Sequence, residues 1–366
     1  MKLISNLLLL SEVFPYFTRG SNIKNKFQII RSIMFGNSRI VKFANGINYT
    51  IPISLHSLFV NLLQIERYSQ IFNLKDSKIE VSFDTQNKFY LSLKLDEEDK
   101  RLLALLAYGI VDGAAFLDME HNTKIKNDKV IKIIQGNRST IETSEGIKFF
   151  LDSIGPDSIV ETYVRRIHDN YSYDLQNKIV IDAGASIGDT PLYFASKGAT
   201  VYAFELTKRN YDQMLDNLQL NSSLSKQIIP VNAGVGKDGI IEYNENISKE
   251  NYDGGASFIV NKYGENSVKR KVKGMTVKTI IETYSISDVY LLKLDCKGCE
   301  YYLKKEELHN IHRLKIEYYS YLKNHKLSDL VKLLKESNFD IMIFKHNPND
   351  MGQLQNRGNI LAEKII

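Results

Sequence analysis

Apolar and polar residues alternate with period two along several stretches of the first 150 or so positions, and each stretch is broken by a turn signal. In "IVKFANGINYTIP", Asn45-Gly46 sits between two alternating runs and supplies the positive φ of a tight hairpin. "IEVSFDTQNKFYLSLKLD" alternates on both sides of Gln86-Asn87, and "STIETSEGIKFFLD" does so around Glu145-Gly146. Helical spacing lies between these strands. Leu55, Leu58, Phe59, Leu62 and Leu63 form one stripe, and "DEEDKRLLALLAYGI" opens acidic and turns apolar, as a helix start should. The pattern predicts a mixed α+β N-terminal domain with antiparallel pairing over residues 1–155. It has no internal repeat and no catalytic motif.

From about residue 160 the pattern becomes strand, helix, strand, helix. "KIVIDAG", "ATVYAFE", "QIIPVNAGVG", "VYLLKLD", "RLKIEYYS", "DIMIFK" and "GNILAEKI" read as strands. "DTPLYFASKG", "KRNYDQMLDNLQLN", "VKTIIETYSI" and "KLSDLVKLLKESNF" read as helices. Pro191 is tolerated in the first turn of its helix, and Gly198 stops it. Such alternation predicts an α/β domain over 156–366, a parallel sheet with helices on both faces.

Composition changes this picture little. Of 366 residues, 43 % are apolar and 25 % charged, the balance of an ordinary globular protein. The net charge of +5 is mild, and the short run Lys269-Arg270-Lys271 with Lys273 reads as solvated loop or strand edge, so no nucleic-acid partner is expected. Two cysteines, Cys296 and Cys299, cannot build a disulfide framework and fit a reducing compartment. They lack a His pair at ligand spacing, so no metal is expected. As C-x-x-C after a strand they keep a redox reading as the minor option. The opening "MKLISNLLLL" is too short to span a bilayer and lacks a cleavage pattern, so the reading is cytoplasmic with no membrane span.

In a parallel sheet, ligands bind beyond the carboxyl ends of the strands. After the first strand of the second half come Asp182, Gly184, Ser186, Gly188 and Asp189. Small residues there let backbone approach a ligand. Glu205 ends the next strand, 21 residues beyond Gly184, where a carboxylate can accept both hydroxyls of a ribose. The dinucleotide fingerprint fails, because Ser186 and Asp189 stand where glycines are needed. Asp189 at a helix start would also repel a pyrophosphate. A ligand bearing a sulfonium and an ammonium suits Asp182 and Asp189 better, which describes S-adenosylmethionine. Gly184-Ala185-Ser186-Ile187-Gly188 equally spells the G-x-S-x-G nucleophile elbow of a serine hydrolase, with Asp295 and His346 available as partners. That alternative leaves Glu205 unexplained, and its elbow would open the sheet instead of following several strands.

"VIDAGASIGDTPLYFASKGATVYAFE" resembles the first motif of class I S-adenosylmethionine-dependent methyltransferases, and more narrowly the FkbM family, whose usual text is close to V-I-D-V-G-A-N-I-G-D-T-A-L-Y-F running to A-F-E-P. "LLKLDCKGCEYYL" resembles that family's L-K-I-D-V-E-G-x-E, and "LKIEYYS" its I-x-I-E-Y-H strand. The likeness runs from about Val160 to the C-terminus. It implies a Rossmann-like, seven-stranded sheet and O-methylation of a hydroxyl on a small molecule or glycan. Carried over, Asp182, Gly184, Ala185, Ser186 and Gly188 would line the methionine end of the cofactor, Glu205 would hold the ribose, and Asp295 would stand beside the transferring methyl. Ser186 replaces the family's Asn, Leu206 its Pro, Lys297 its Glu and Tyr319 its His. The last two leave a non-catalytic S-adenosylmethionine-binding protein as an alternative.

Methyl transfer needs alignment and removal of the hydroxyl proton. Asp295, Glu300 and Glu317 are the candidate bases, in that order. Each also has a structural reading: Asp295 as orienter of the loop, Glu300 as an acid at a helix start, Glu317 as the partner of a lysine. The aromatic residues Tyr318, Tyr319 and Tyr321 read as strand packing, with a stacking surface as the alternative.

Overall fold

The computed structural model describes residues 13–17, 23–35, 38–43, 45–52, 56–118, 130–169, 174–246, 267–320, 325–345 and 357–365. Leu55, Tyr321, His346 and the opening apolar run lie outside them. The chain divides into two compact units, Met1–Arg165 and Arg166–Ile366.

The first unit holds α1 (Lys26–Phe35), the hairpin β1 (Ser38–Lys42) and β2 (Asn48–Pro52), and α2 (His56–Tyr68). Gly46, at φ +90°, turns the hairpin. Leu58, Phe59, Leu62 and Leu63 are buried along α2, as their spacing requires. An antiparallel meander follows: β3 (Ile71–Lys75), β4 (Lys78–Ser82) and β5 (Phe89–Ser92). Its first turn is Asp76-Ser77, both at positive φ. Asp84 builds the second by accepting from the Gln86 and Asn87 amides. In α3 (Glu97–Val111), Asp96 caps the Asp99 amide at 2.9 Å, and Glu97, Glu98 and Asp99 fill the first turn. β6 (Ala115–Asp118), β7 (Val130–Ile134), β8 (Thr140–Glu142) and β9 (Lys148–Phe150) form the last sheet of this unit, with Gly146 at φ +78° between β8 and β9. The short helical segment from Pro156 to Val164 stays with this unit, against α3.

The second unit is built on one mixed sheet. Its strands are β10 (Ile179–Ala183), β11 (Thr200–Glu205), β12 (Ile228–Val235), β13 (Gly239–Asn246), β14 (Ser267–Met275), β15 (Val289–Leu294), β16 (Ile311–Tyr319), β17 (Phe339–Lys345) and β18 (Arg357–Lys364). They lie in the order β13-β14-β12-β11-β10-β15-β16-β18-β17. The sheet therefore has nine strands, not the seven expected. The difference is the β13/β14 hairpin, which extends the edge at β12. Its strands are charged and half-exposed, so they carry no buried apolar run to mark them in the sequence. Lys269, Arg270, Lys271 and Lys273 are exposed on β14, where Arg270 pairs with Glu245 and Lys271 with Glu242.

β10, β11, β12, β15 and β16 run parallel, and β18 is antiparallel to both β16 and β17. Helices α4 (Asp189–Ser196), α5 (Lys208–Leu220), α6 (Val277–Thr283) and α7 (Leu327–Glu336) connect the strands. In β15 the residues Val289, Leu291, Leu292 and Leu294 are all fully buried, which explains their unbroken apolar run. α4 ends as its sequence dictates: Gly198, at φ +90°, returns its amide to the Ala195 carbonyl. Strand order reverses between β10 and β15, so their carboxyl ends are the place to find a ligand site.

Candidate active site

At the carboxyl end of β10 the chain turns through Gly184 and Gly188, at φ +87° and +89°, with Ser186 between them at φ +51°. A Cβ on Gly184 would lie 2.1 Å from the Asp295 carbonyl oxygen, so only glycine lets this turn touch the end of β15. Ala185 is buried, and the Gly184 and Ala185 amides both reach the Phe204 carbonyl, which ties the turn to β11.

Glu205 completes that tie. Its Oε2 accepts from the Ser186 amide at 2.9 Å, and its Oε1 accepts from the Thr207 amide and hydroxyl, both at 2.9 Å. Burial raises its pKa, and the hydrogen bonds from Thr207, Ser186 and Asn210 oppose the rise. Thr207 also caps α5 through the Asn210 amide. Among the described residues Oε2 has a single donor, and a carboxylate oxygen can accept two.

Sequence reasoning sets Asp182 beside a cationic ligand. In the structure its two oxygens are engaged within the protein: Lys293 donates to Oδ1 at 2.8 Å, and the Thr190 hydroxyl donates to Oδ2. Lys293 is the Cα partner of Asp182 across β10 and β15, and Lys315 is the partner of Lys293 across β15 and β16. The three buried side chains make a charged row through the sheet centre. Burial opposes the charge on Lys293, but Asp182 and then Asp295 outweigh it, so its pKa is raised. His168, fully buried against Tyr193 and Phe194, sits near this row. Burial first, and Lys315 and Lys293 after it, push its pKa well below the usual value and keep it neutral. Asp189 is buried at the first position of α4, close enough to Lys293 to support its charge.

Asp295 and Glu317 form the second feature. Asp295 follows β15, and Glu317 lies on β16. The two carboxyls lie near enough for each to shift the pKa of the other. The Asp295 side chain is 32 % exposed, and Lys297 beside it 18 %. Burial alone would raise its pKa, but Lys297, Glu317, Lys293 and Lys315 together hold it well below the usual carboxylate range. Glu317 goes the other way. Burial, and after it the Asp295 charge, push its pKa up to about 8, against lowering by Lys297 and Tyr319. The two shifts run in opposite directions, so Glu317 is the more readily protonated member of the pair. The Tyr319 hydroxyl donates to Glu317 Oε1 at 2.9 Å, and Lys297 Nζ lies 3.4 Å from Asp295 Oδ1 and 5.6 Å from the Tyr319 ring centre.

Glu300 is near these groups but is committed elsewhere. It is fully buried, and its oxygens accept from the Gly298 amide at 2.7 Å and the Tyr319 amide at 3.1 Å. Burial raises its pKa to about 7. It bolts the turn after β15 to β16. Cys296 and Cys299 are brought together in that turn, with their Cα atoms 5.5 Å apart.

The structure thus brings Gly184, Ala185, Ser186, Gly188 and Glu205 into one turn, and Asp295 and Glu317 into one pair. Sequence reasoning missed Lys293, Lys315 and His168. Two of these had a signal, since a lysine inside an otherwise buried strand requires a buried anion. For the hydrolase alternative, the positive φ of Ser186 fits an elbow as well as a cofactor turn, and His346 lies outside the described residues. Glu205, which that reading leaves idle, is bonded to the Ser186 amide itself.

Among the described residues no helix is long and apolar enough to cross a membrane. Curated proteins give no match. Similar solved structures include a precorrin-6y C5,15-methyltransferase from Geobacter metallireducens GS-15, at 10 % identity and TM-score 0.32, covering 55 % of this chain and 88 % of that one. A magnesium protoporphyrin IX methyltransferase from Synechocystis PCC 6803 with bound SAM has 15 % identity and TM-score 0.30, covering 57 % and 77 %. An rRNA methylase from Streptococcus thermophilus has 14 % identity and TM-score 0.33, covering 55 % and 95 %. The model of the methyltransferase FkbM domain matches residues 182–341, a stretch that begins at the Asp182 of the glycine turn and takes in Glu205, Asp295 and Glu317. Those residues are thus similar to an FkbM-type methyltransferase domain.

Proposed function

We propose that the second unit is an S-adenosylmethionine-dependent O-methyltransferase acting on a hydroxyl of a small molecule or glycan, with the first unit as an accessory domain. The observation that carries this reading is the meeting of the glycine turn with the strand end that bears Asp295: a Cβ on Gly184 would lie 2.1 Å from the Asp295 carbonyl oxygen, and Glu205 holds the Ser186 amide of the same turn at 2.9 Å.

The turn fits the cofactor. Glu205 Oε2 keeps acceptor capacity for a ribose hydroxyl, and Gly184, Ala185, Ser186 and Gly188 give a backbone surface of small residues for the methionine end. Asp189 contributes negative charge at the start of α4, while Asp182 acts through Lys293, holding the strand ends in register. When bound, the cofactor supplies a methyl group on a sulfonium that needs no help to leave.

The chain's own task is the acceptor proton. A base works best with a pKa near the working pH. Asp295 is held too low for that task, and Glu317, at about 8, is matched to it. Glu317 is therefore the proposed base once ionised. Asp295 is the charge that tunes it, with Lys297 and Tyr319 fixing the position of both.

Titrating S-adenosylmethionine into wild type and Glu205→Ala by calorimetry tests the cofactor. Loss of the ribose bonds is expected to weaken binding by ~1–3 kcal/mol. A folded wild type that binds nothing overturns the reading. Binding without turnover on any hydroxyl acceptor favours the non-catalytic alternative, and fluorophosphonate labelling of Ser186 favours the hydrolase.

A further inference from the structure

The turn that holds Lys297 against Asp295 contains chemistry that methyl transfer does not use. Cys296 and Cys299 bracket Lys297 and Gly298, and their Cα atoms are 5.5 Å apart, inside the range a disulfide requires. Cys296 is partly exposed, whereas Cys299 is 2 % exposed. Lys297 and Gly298 both hold positive φ, +52° and +127°, a conformation that a closed ring between the cysteines restrains. On the far side, Glu300 ties the Gly298 and Tyr319 amides together. A ring closed between the two cysteines would fix the segment that sets a cation on Asp295.

We propose that Cys296 and Cys299 are a reversible thiol–disulfide site that exchanges with a low-molecular-weight disulfide such as oxidised glutathione, and that closing the ring seats Lys297 against Asp295. The exchange runs in two steps. The Cys296 thiolate attacks the small disulfide, an S–S bond forms to one half, and the other half leaves as a thiol after taking a proton. Cys299 gives up its proton and attacks the Cys296 sulfur, closing the ring and releasing the second thiol. The two protein thiols are oxidised and one small disulfide is reduced to two thiols. Cys296, the accessible sulfur, makes the mixed disulfide, and buried Cys299 resolves it. The link to methyl transfer rests on the role proposed for Asp295 and Glu317; the thiol exchange does not.

The test equilibrates the full chain with graded ratios of reduced and oxidised glutathione, quenches by alkylation and reads intact mass. Wild type is expected to pass from two alkylated thiols to none in one step. Cys299→Ser is expected to stop as a glutathione adduct, and Cys296→Ser to stay unmodified. Wild-type thiols that remain free at every ratio overturn the site. So does a reduced chain that retains one Zn2+ through Cys296, Cys299 and Glu300, whose ligand atoms lie within 4.8 Å of one another. The seating of Lys297 is read without cofactor, from melting temperature against pH in the two redox states. Asp295, Lys297 and Tyr319 face Glu317, and Lys297 lowers its pKa. Reduction is therefore expected to move the alkaline midpoint near pH 8 upward. Equal midpoints overturn the coupling while leaving the methyltransferase reading to its own calorimetric test.

Discussion

Lys293 Nζ lies 2.8 Å from Asp182 Oδ1, and the two side chains are 3 % and 0 % exposed. This pair joins β10 to β15 at the point where the sheet reverses its order. Removing one partner of a buried pair leaves the other charge uncompensated, which typically costs ~3–5 kcal/mol. Lys293→Met is expected to lose that much in urea denaturation. The double variant with Asp182→Leu should recover part of the loss, since it removes both charges. A cost below about 1 kcal/mol for Lys293→Met would mean that the pair does not hold the strands.

Glu317 gives the site a pH dependence whose sign is fixed by its raised pKa of about 8. Its folded-state pKa lies above the ordinary carboxyl value of 4.5, so its contribution to stability is complete below that value and is lost as pH rises through about 8. Wild-type melting temperature is expected to fall as pH rises from about 4.5 to about 8 and to level off above that, and Glu317→Gln should flatten the fall. Activity should run the opposite way, rising up to about pH 8 as the base ionises. Glu317→Gln should lower kcat by ~10²–10⁴-fold. A rate independent of pH from 6 to 9 counts against Glu317 as the base.

Much of this arrangement was legible in the sequence, and the part that was not has a physical reason. Gly184, Ser186 and Glu205 stand out because turns and strand ends carry local signals. The hairpins at Gly46 and Gly146 announce themselves the same way, whereas Asp76-Ser77 turns β3 into β4 at positive φ without a glycine. β14 is invisible as a strand because its lysines and Arg270 face solvent and are matched only by glutamates on β13. The partnership of Asp295 with Glu317 depends on the juxtaposition of β15 and β16, which no spacing along the chain encodes. The same holds for Asp182, whose anion is engaged by a lysine 111 positions away.

Gly184 is the position where the fold and the site are least separable. Gly184→Ala would put a methyl group 2.1 Å from the Asp295 carbonyl oxygen, at a φ that L residues disfavour. The conformational cost alone is ~1–3 kcal/mol, and the backbone clash adds to it. The variant is expected to melt well below wild type. Gly46→Ala is the control, because its Cβ would meet nothing within 4 Å and only the φ +90° cost applies. Equal losses in the two variants would show that the contact between the glycine turn and β15 carries no weight.

Tyr319 offers the most local test of the carboxyl pair. Its hydroxyl donates to Glu317 Oε1 at 2.9 Å, and that bond lowers the Glu317 pKa by favouring the ionised form. Tyr319→Phe keeps the ring that packs under Lys297 and removes only the donor. The Glu317 pKa should then rise above about 8, shifting the alkaline rise in activity and the alkaline loss of stability upward together. Tyr319→His restores a polar ring at this position, and it is expected to return the midpoint toward that of wild type. A midpoint in Tyr319→Phe unchanged or lower than wild type would place the control of Glu317 entirely in Asp295 and Lys297.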